Sequence, residues 1–207
     1  MERLGVTMQK VGLIVACDLA GTIAYDGKIP WNNKEDMRRF KEITMGSVVV
    51  VGSNTYWSLP ESKLPGRTKH VLDNMTYPLP ENTEDTRWFY RLTDAFLDAP
   101  EEKDIWIIGG RKVYEDCLCC SIPDIIDLTI LNCIYLNGLS DSIEVSYRKT
   151  LRLPFIPFVY MVEKEWQNEN DPLLFHRRYI KRPGGFGGSA IADYRRAEAE
   201  KKNNSNI

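Results

Sequence analysis

One carboxylate in this 207-residue chain has neighbours that suit chemistry. Asp36 lies in "GKIPWNNKEDMRRFK" (27–41), just after a Pro-Trp turn and four residues before Phe40. Residues four apart share one face of a helix, so Asp36 and Phe40 point the same way, with Met37 nearby. A lone carboxylate among apolar side chains is desolvated and can bind a protonatable nitrogen heterocycle. A local role is also open to it. Asn33 can cap the helix, Asp36 then falls at its third position, and an acid there complements the helix dipole. Both roles hold together only if the side chain faces a pocket.

Two stretches suit phosphate. In "IWIIGGRKVYED" (105–116) a buried strand ends in Gly109-Gly110 and a helix follows at once. Glycines there let backbone approach a ligand, and the helix start offers free N–H groups. "VVVVG" followed by "SNTYWS" repeats the design, with Gly52 at the strand end and Ser53, Asn54 and Thr55 opening a helix. Neither is the GxGxxG fingerprint of a Rossmann site. Either could be a tight strand-to-helix turn; as a pair they suit a dinucleotide lying across the carboxyl edge of a sheet. In "LPESKLPGRTKHVLD" (59–73), Arg67 closes a Pro-Gly loop ahead of a strand. It is either a surface arginine or a bidentate partner for a carboxylate.

These residues need a scaffold. Buried strands are expected at "VGLIVACDLA" (11–20), "SVVVVG" (47–52), "DIWIIGG" (104–110) and "IIDLTILNC" (125–133), with shorter ones at "KHVLD" (69–73) and "TRWFYR" (86–91). "FVYMVEKEW" (158–166) and "LLFHRRYIKR" (173–182) read as a closing antiparallel pair. Helices are expected at 33–44, where Met37, Phe40 and Ile43 or Thr44 share a face, and at 53–59, 92–99 and 110–120. The alternation implies an α/β fold: a single mixed, mostly parallel sheet of about eight strands, flanked by about four helices, with an antiparallel C-terminal edge. Residues 1–182 form the expected domain. Residues 183–207 read as a Gly/Pro hinge and a polar tail, flexible or docked on a partner.

Composition excludes several classes. A net charge of −2 builds no field for nucleic acid. No stretch reaches the ~18 apolar residues of a membrane span, and the N-terminus has no signal-peptide core. Five cysteines without a leader suggest reduced thiols in a cytoplasmic protein. The "CLCC" run (117–120) lacks zinc-ligand spacing and reads as buried small apolar residues, so no metal is expected.

Taken in order, "GKIPWNNKEDMRRFKEIT", "VGSNTYWSLPESKLPGR", "IIGGRKVY" and the Thr129 of "DLTIL" resemble the dihydrofolate reductase family over about residues 11–182. The resemblance implies reduction of 7,8-dihydrofolate to tetrahydrofolate with NADPH. Asp36 then resembles the acid that binds the pterin 2-amino group and N3, and Thr129 the residue that orients it. Trp31 would lie by the pterin, and Ile29 in the mobile loop over the nicotinamide. Ile14, Val15, Phe40, Leu59, Leu64 and Ile108 resemble pocket walls, and Arg67 the partner of the glutamate α-carboxylate. The cofactor edge would comprise Ala16, Ile23, the run Gly52, Ser53, Asn54 and Thr55, then Leu72, Asp73 and Asn74. It would continue through Ile108, Gly109, Gly110, Arg111, Lys112, Val113 and Tyr114. Antifolates are the implied inhibitors.

The chain departs from the pattern at three places. Ser53 stands where the family often has Arg or Lys, and Asp73 stands where it often reads the 2′-phosphate. NADPH remains the expected cofactor, NADH the alternative, with Arg111, Lys112, Lys69 and His70 as compensating charges. Ala24 replaces a usual loop glycine. Region 134–157 does not align with the family. Two other functions stand beside the lead: a riboflavin-pathway pyrimidine reductase, and a non-catalytic binding or structural protein on the same fold. The Pro-Trp…Asp helix and the Pro-Gly-Arg loop oppose the first; Asp36, Arg67 and Gly109-Gly110 together oppose the second.

Overall fold

The structure, a computed structural model, describes residues 9–60, 64–133 and 150–183. The expected tail beyond 183 and most of region 134–157 lie outside those residues. The strands are β1 (Val11–Asp18), β2 (Thr22–Tyr25), β3 (Val48–Gly52), β4 (Thr68–Leu72), β5 (Thr86–Phe89), β6 (Ile105–Gly109), β7 (Ile125–Leu131), β8 (Thr150–Arg152), β9 (Tyr160–Gln167) and β10 (Leu174–Lys181). The helices are α1 (Lys34–Thr44), α2 (Ser53–Ser58), α3 (Leu92–Leu97) and α4 (Arg111–Cys119).

Eight strands form one sheet in the order β5-β4-β3-β6-β1-β7-β10-β9. The first six are parallel to one another; β10 runs antiparallel to both β7 and β9. The expected sheet is therefore present. A small second sheet, β2 with β8, was not legible as strands. It pairs Ala24 with Leu151, so the residue expected in a mobile loop sits in a ladder.

β3 shows why a parallel strand reads as a continuous apolar run. Val48, Val49, Val50 and Val51 are all fully buried, because helices cover both faces of this part of the sheet. On β1, Leu13, Val15 and Cys17 enter the main core, where Ile105, Ile107, Ile126 and Leu128 meet them from β6 and β7. Gly12 serves this packing. A Cβ there would lie 2.3–2.6 Å from the ring of Trp106, its neighbour on β6. Gly12→Ala is expected to destabilise the chain by about 1–3 kcal/mol, the usual penalty for overpacking. Chemical denaturation would show it as a lower midpoint at unchanged slope.

Asn33 caps α1 as expected: its side-chain oxygen accepts the Asp36 N–H at 3.0 Å. The helix buries less than its pattern suggests. Thr44 is buried and Phe40 half-buried, but Met37 is 52% exposed. The expected apolar face is thus corrected: Met37 lies at the surface, because α1 is held to the sheet largely by polar contacts. The cysteine reading is corrected too. Cys117 is buried, whereas Cys119 and Cys120 at the end of α4 are exposed. Among the described residues, no helix is long and apolar enough to cross a membrane, and no cluster of three His, Cys, Asp or Glu could hold a metal.

Candidate active site at the carboxyl edge of the sheet

The cleft forms where β1 lies between β6 and β7. The chain winds outward to β5 on one side of β1 and continues to β7 on the other. That reversal is a topological switch point, where open α/β sheets bind ligands.

Asp36 reaches this place because α1 is tied to β7, and through it to β10, by Arg39, Asp127 and Arg178. The Thr129 hydroxyl and the Trp31 indole face its carboxylate. Burial is the larger influence and raises its pKa; those two donors and nearby Arg39 pull the other way. Thr129 is buried on β7 beside Ala16 of β1, and Trp31 is buried against Leu131 and Leu174.

One helical turn on, Arg39 grips Asp127, two residues before Thr129 on the same face of β7. Arg39 Nη2 donates to Asp127 Oδ1 at 2.6 Å and to Oδ2 at 2.8 Å. Arg178 on β10 donates to Asp127 Oδ2 from Nε at 3.2 Å and from Nη2 at 2.9 Å. The Arg39 guanidinium also lies 4.9 Å from the Trp166 ring centroid. This clamp sets the position of α1 and therefore of Asp36. Sequence reasoning missed it, although an acid inside the apolar run "IIDLTIL" is a readable signal for a buried partner.

Arg67 is only 5% exposed. Its Nε donates to Thr44 Oγ1 at 3.0 Å, Nη1 to the Pro65 carbonyl at 3.0 Å and Nη2 to the Lys41 carbonyl at 3.2 Å. All three acceptors are neutral. A guanidinium has five N–H donors, so one hydrogen remains on each Nη. Phe40 lies beneath it, 5.8 Å from the ring centroid. Leu59 packs with Val51, Tyr56, Val71 and Trp88, as does Ile108. Leu64 is held at φ 60°, an uncommon conformation for a branched residue. Ile29 is 61% exposed on the loop before α1.

The two strand–glycine–helix junctions touch. A Cβ on Gly52 would sit 3.3 Å from Val113 and within 4 Å of Gly109 and Gly110 backbone; one on Gly110 would meet Thr55 Oγ1 at 2.7 Å. Gly109 adopts φ +107°, beside the ring of Tyr114, and the Gly109-Gly110 peptide is cis. The β3–β6 register shifts here, with Val50 opposite Ile107 and Val51 opposite Gly109. The slip turns Ile108 out of the ladder at the cleft edge. Tyr114 returns to β1, its hydroxyl donating to the Ile14 carbonyl at 2.9 Å. No side chain caps α4, so its first N–H groups stay available.

Of the four charges expected to compensate for Ser53 and Asp73, Lys69 and His70 are committed elsewhere. Lys69 is 1% exposed and paired with Asp85. His70 is buried with Nδ1 donating to the Ala95 carbonyl at 2.6 Å. β4 is covered on both faces, so neither side chain reaches the strand end. Arg111 and Lys112 are bound to Glu115 and Asp116 one turn along α4. Asp73 accepts from the Met75 N–H at 2.9 Å, the Thr76 N–H at 3.2 Å and the Thr76 hydroxyl at 2.8 Å, with Ser53 close by. The Met75 bond, then the others, hold its carboxyl below the usual range. Leu72 and Ile23 pack on the main core; Ile23 is buried within it.

A part-buried acid at the switch point, beside two touching strand–glycine–helix junctions, places the chain among the α/β proteins that bind nucleotides at the carboxyl edge of a sheet. Comparisons with known proteins name the family. The family model described as dihydrofolate reductase matches residues 10–132. The type 9 dihydrofolate reductase of Escherichia coli is 33% identical over 153 residues, covering 70% of this chain and 82% of that protein. The dihydrofolate reductase of Mycobacterium leprae is 39% identical over 109 residues, covering 52% and 64%. A solved dihydrofolate reductase from Enterococcus faecalis, complexed with NADP(H) and RAB-propyl, superposes with a TM-score of 0.66. It shares 20% identity and covers 84% of this chain and 97% of its own. The chain belongs to the dihydrofolate reductase family.

Proposed function

We propose that this chain is an NADPH-dependent dihydrofolate reductase, and that its pocket is built from the residues placed above. The carrying observation is the half-buried Asp36 carboxylate, flanked by Thr129 and Trp31 beside the strand-end groove. Two acceptor oxygens held in one plane match the 2-amino group and N3 of a pterin. Protonation at N5 then becomes favourable, because the bound carboxylate offsets the positive charge that grows on the ring. The proton itself arrives through water, since no second acid faces the slot among the residues assigned to it.

Ile14, Val15, Phe40, Leu59, Leu64 and Ile108 give the pterin and benzoyl rings apolar walls and exclude water, and Ile29 closes over them. Arg67 presents its two unused Nη hydrogens to the substrate's α-carboxylate. The groove fits a pyridine nucleotide: Gly52, Gly109 and Gly110 leave backbone where side chains would block it. Bound there, the nucleotide supplies hydride. Ser53, Asn54 and Thr55 line its phosphate side with Arg111 and Lys112. Val113, Tyr114, Ala16 and Ile23 support the groove; Leu72, Asp73 and Asn74 lie by its ribose. Antifolates would compete at Asp36.

The test is dihydrofolate-dependent loss of reduced-nicotinamide absorbance, with NADPH and NADH compared side by side. Turnover is expected with NADPH; folded protein that binds both ligands without turnover would return the non-catalytic reading. Asp73 sets a second expectation. Asp73→Asn keeps an oxygen for the Met75 and Thr76 N–H groups and removes the charge. It should lower the KM for NADPH roughly fivefold relative to NADH, as expected for one unit of near-surface repulsion removed. An unchanged ratio would place the 2′-phosphate elsewhere.

A further inference from the structure

We propose that His176 is a positioning residue for Asp36: it acts through Thr129, fixing which way the Thr129 hydroxyl hydrogen points. The inference rests on the reading of Asp36 as the pterin-binding acid.

His176 lies on β10, directly opposite Thr129 of β7 and Trp166 of β9, and is 1% exposed. Its Nδ1 is 3.2 Å from Thr129 Oγ1, and its Nε2 is 3.1 Å from Asn168 Nδ2. The loop fixes the direction of this chain of bonds. Asn168 Oδ1 accepts the N–H groups of Asn170 at 2.9 Å and Asp171 at 3.0 Å. Those two bonds identify the Asn168 oxygen, so its NH₂ faces the imidazole. An amide NH₂ only donates, so Nε2 must accept and the ring hydrogen sits on Nδ1. Thr129 Oγ1 receives that hydrogen, and its own single hydrogen is left for Asp36. In the opposite tautomer Nδ1 would accept, and Thr129 would turn its hydrogen away from the carboxylate.

Doubly protonated His176 would set Nε2–H against the Asn168 NH₂, which disfavours the cation. Burial and Arg39 disfavour it as well, and the pKa is pushed down to about 4. The charged groups facing the ring are Arg39 of α1 and Asp127 of β7. Arg178 of β10 and Lys164 of β9 lie against the Trp166 ring, which is tilted against His176. Around Asp36 the facing groups are Arg39 and, from α4, Tyr114. The same loop also touches the start of α1, since Asn33 Nδ2 donates to Asp171 Oδ2 at 2.6 Å. Residues 168–171 thus reach Asp36 by two routes, through its helix cap and through its hydrogen-bond donor.

Two measurements test this without relying on turnover. Ring ¹⁵N spectra of the native protein should show the neutral Nδ1–H tautomer at neutral pH; the Nε2–H tautomer would overturn the proposal. The Asp36 carboxyl ¹³C titration would then be followed in His176→Phe and His176→Asn. Phe cannot donate to Thr129, and the Asp36 midpoint should rise by about half a unit or more. Asn can place an N–H near the Nδ1 position, and its midpoint should stay near the native one. Equal midpoints in native protein and a folded His176→Phe would overturn the proposal, as would equal displacement in both variants. If His176→Phe does not fold, the tautomer and His176→Asn decide. A chain that titrates as expected yet shows no turnover would retain the relay and lose the reductase reading.

Discussion

Asp36→Asn is expected to lower kcat/KM for dihydrofolate by about 10²–10³-fold, the scale seen when a preorganised transition-state contact is removed. The Asn oxygen has two lone pairs, so Thr129 and Trp31 still face an acceptor and the site keeps its shape. What disappears is the negative charge opposite the protonated ring. The same substitution should stabilise the ligand-free protein. Folding raises the Asp36 pKa, so between its unfolded and folded values the native state holds the extra proton. Stability contributed by this group therefore falls as pH rises through that window, and above it the ionised, desolvated carboxylate is a fixed penalty. Asn has no such penalty. Its melting temperature should exceed the native value above the window by roughly 2–4 °C for each kcal/mol relieved, and the difference should vanish below it. An unchanged kcat/KM would remove Asp36 from the reacting site. A lower melting temperature at neutral pH would show that its charge is better solvated than its burial suggests.

Arg67→Leu carries the next largest expected effect. Losing one side of a desolvated, hydrogen-bonded charge pair costs about 2–5 kcal/mol. That corresponds to an increase in KM of at least about 30-fold. The rise should fall on KM with kcat changed little, because the α-carboxylate lies far from the reacting bond and contributes equally to ground and transition states. Arg67 also ties Thr44, Pro65 and Lys41 together, so Leu must weaken the fold as well. A dihydropterin without the glutamate separates the two effects. Its turnover should be the same in native protein and in the folded variant. Equal losses for both substrates would make Arg67 a structural residue only.

Much of this was open to a sequence reader because the signals are local. Strand β3 announces itself as four valines, and α1 as Asn33 followed by its acidic first turn. Asp36, Arg67 and the Gly109-Gly110 junction could be picked out from their immediate neighbours, since a cap, a turn or a strand end is decided within a few residues. The antiparallel edge was legible from the partial alternation of β9 and β10.

What lay beyond reach was pairing. Whether Gly52 touches Gly110 depends on the order β3-β6-β1, which no local pattern encodes. β2 and β8 are four and three residues long and are strands only because they meet. Lys69 looked available because it is a lysine near a strand end. The covered β4 instead buries its stem and leads its amine to Asp85. Arg39, Asp127, Arg178 and Trp166 come from four elements, and His176 reads as an ordinary strand residue until Thr129 is seen opposite it. Sequence by itself determined the eight strands of the main sheet, the four helices, the acid and the arginine, through short-range sterics and capping. Tertiary structure alone decided which side chains meet across elements, because strand order and register bring together residues as far as 138 positions apart in the chain, as Asn33 and Asp171 are.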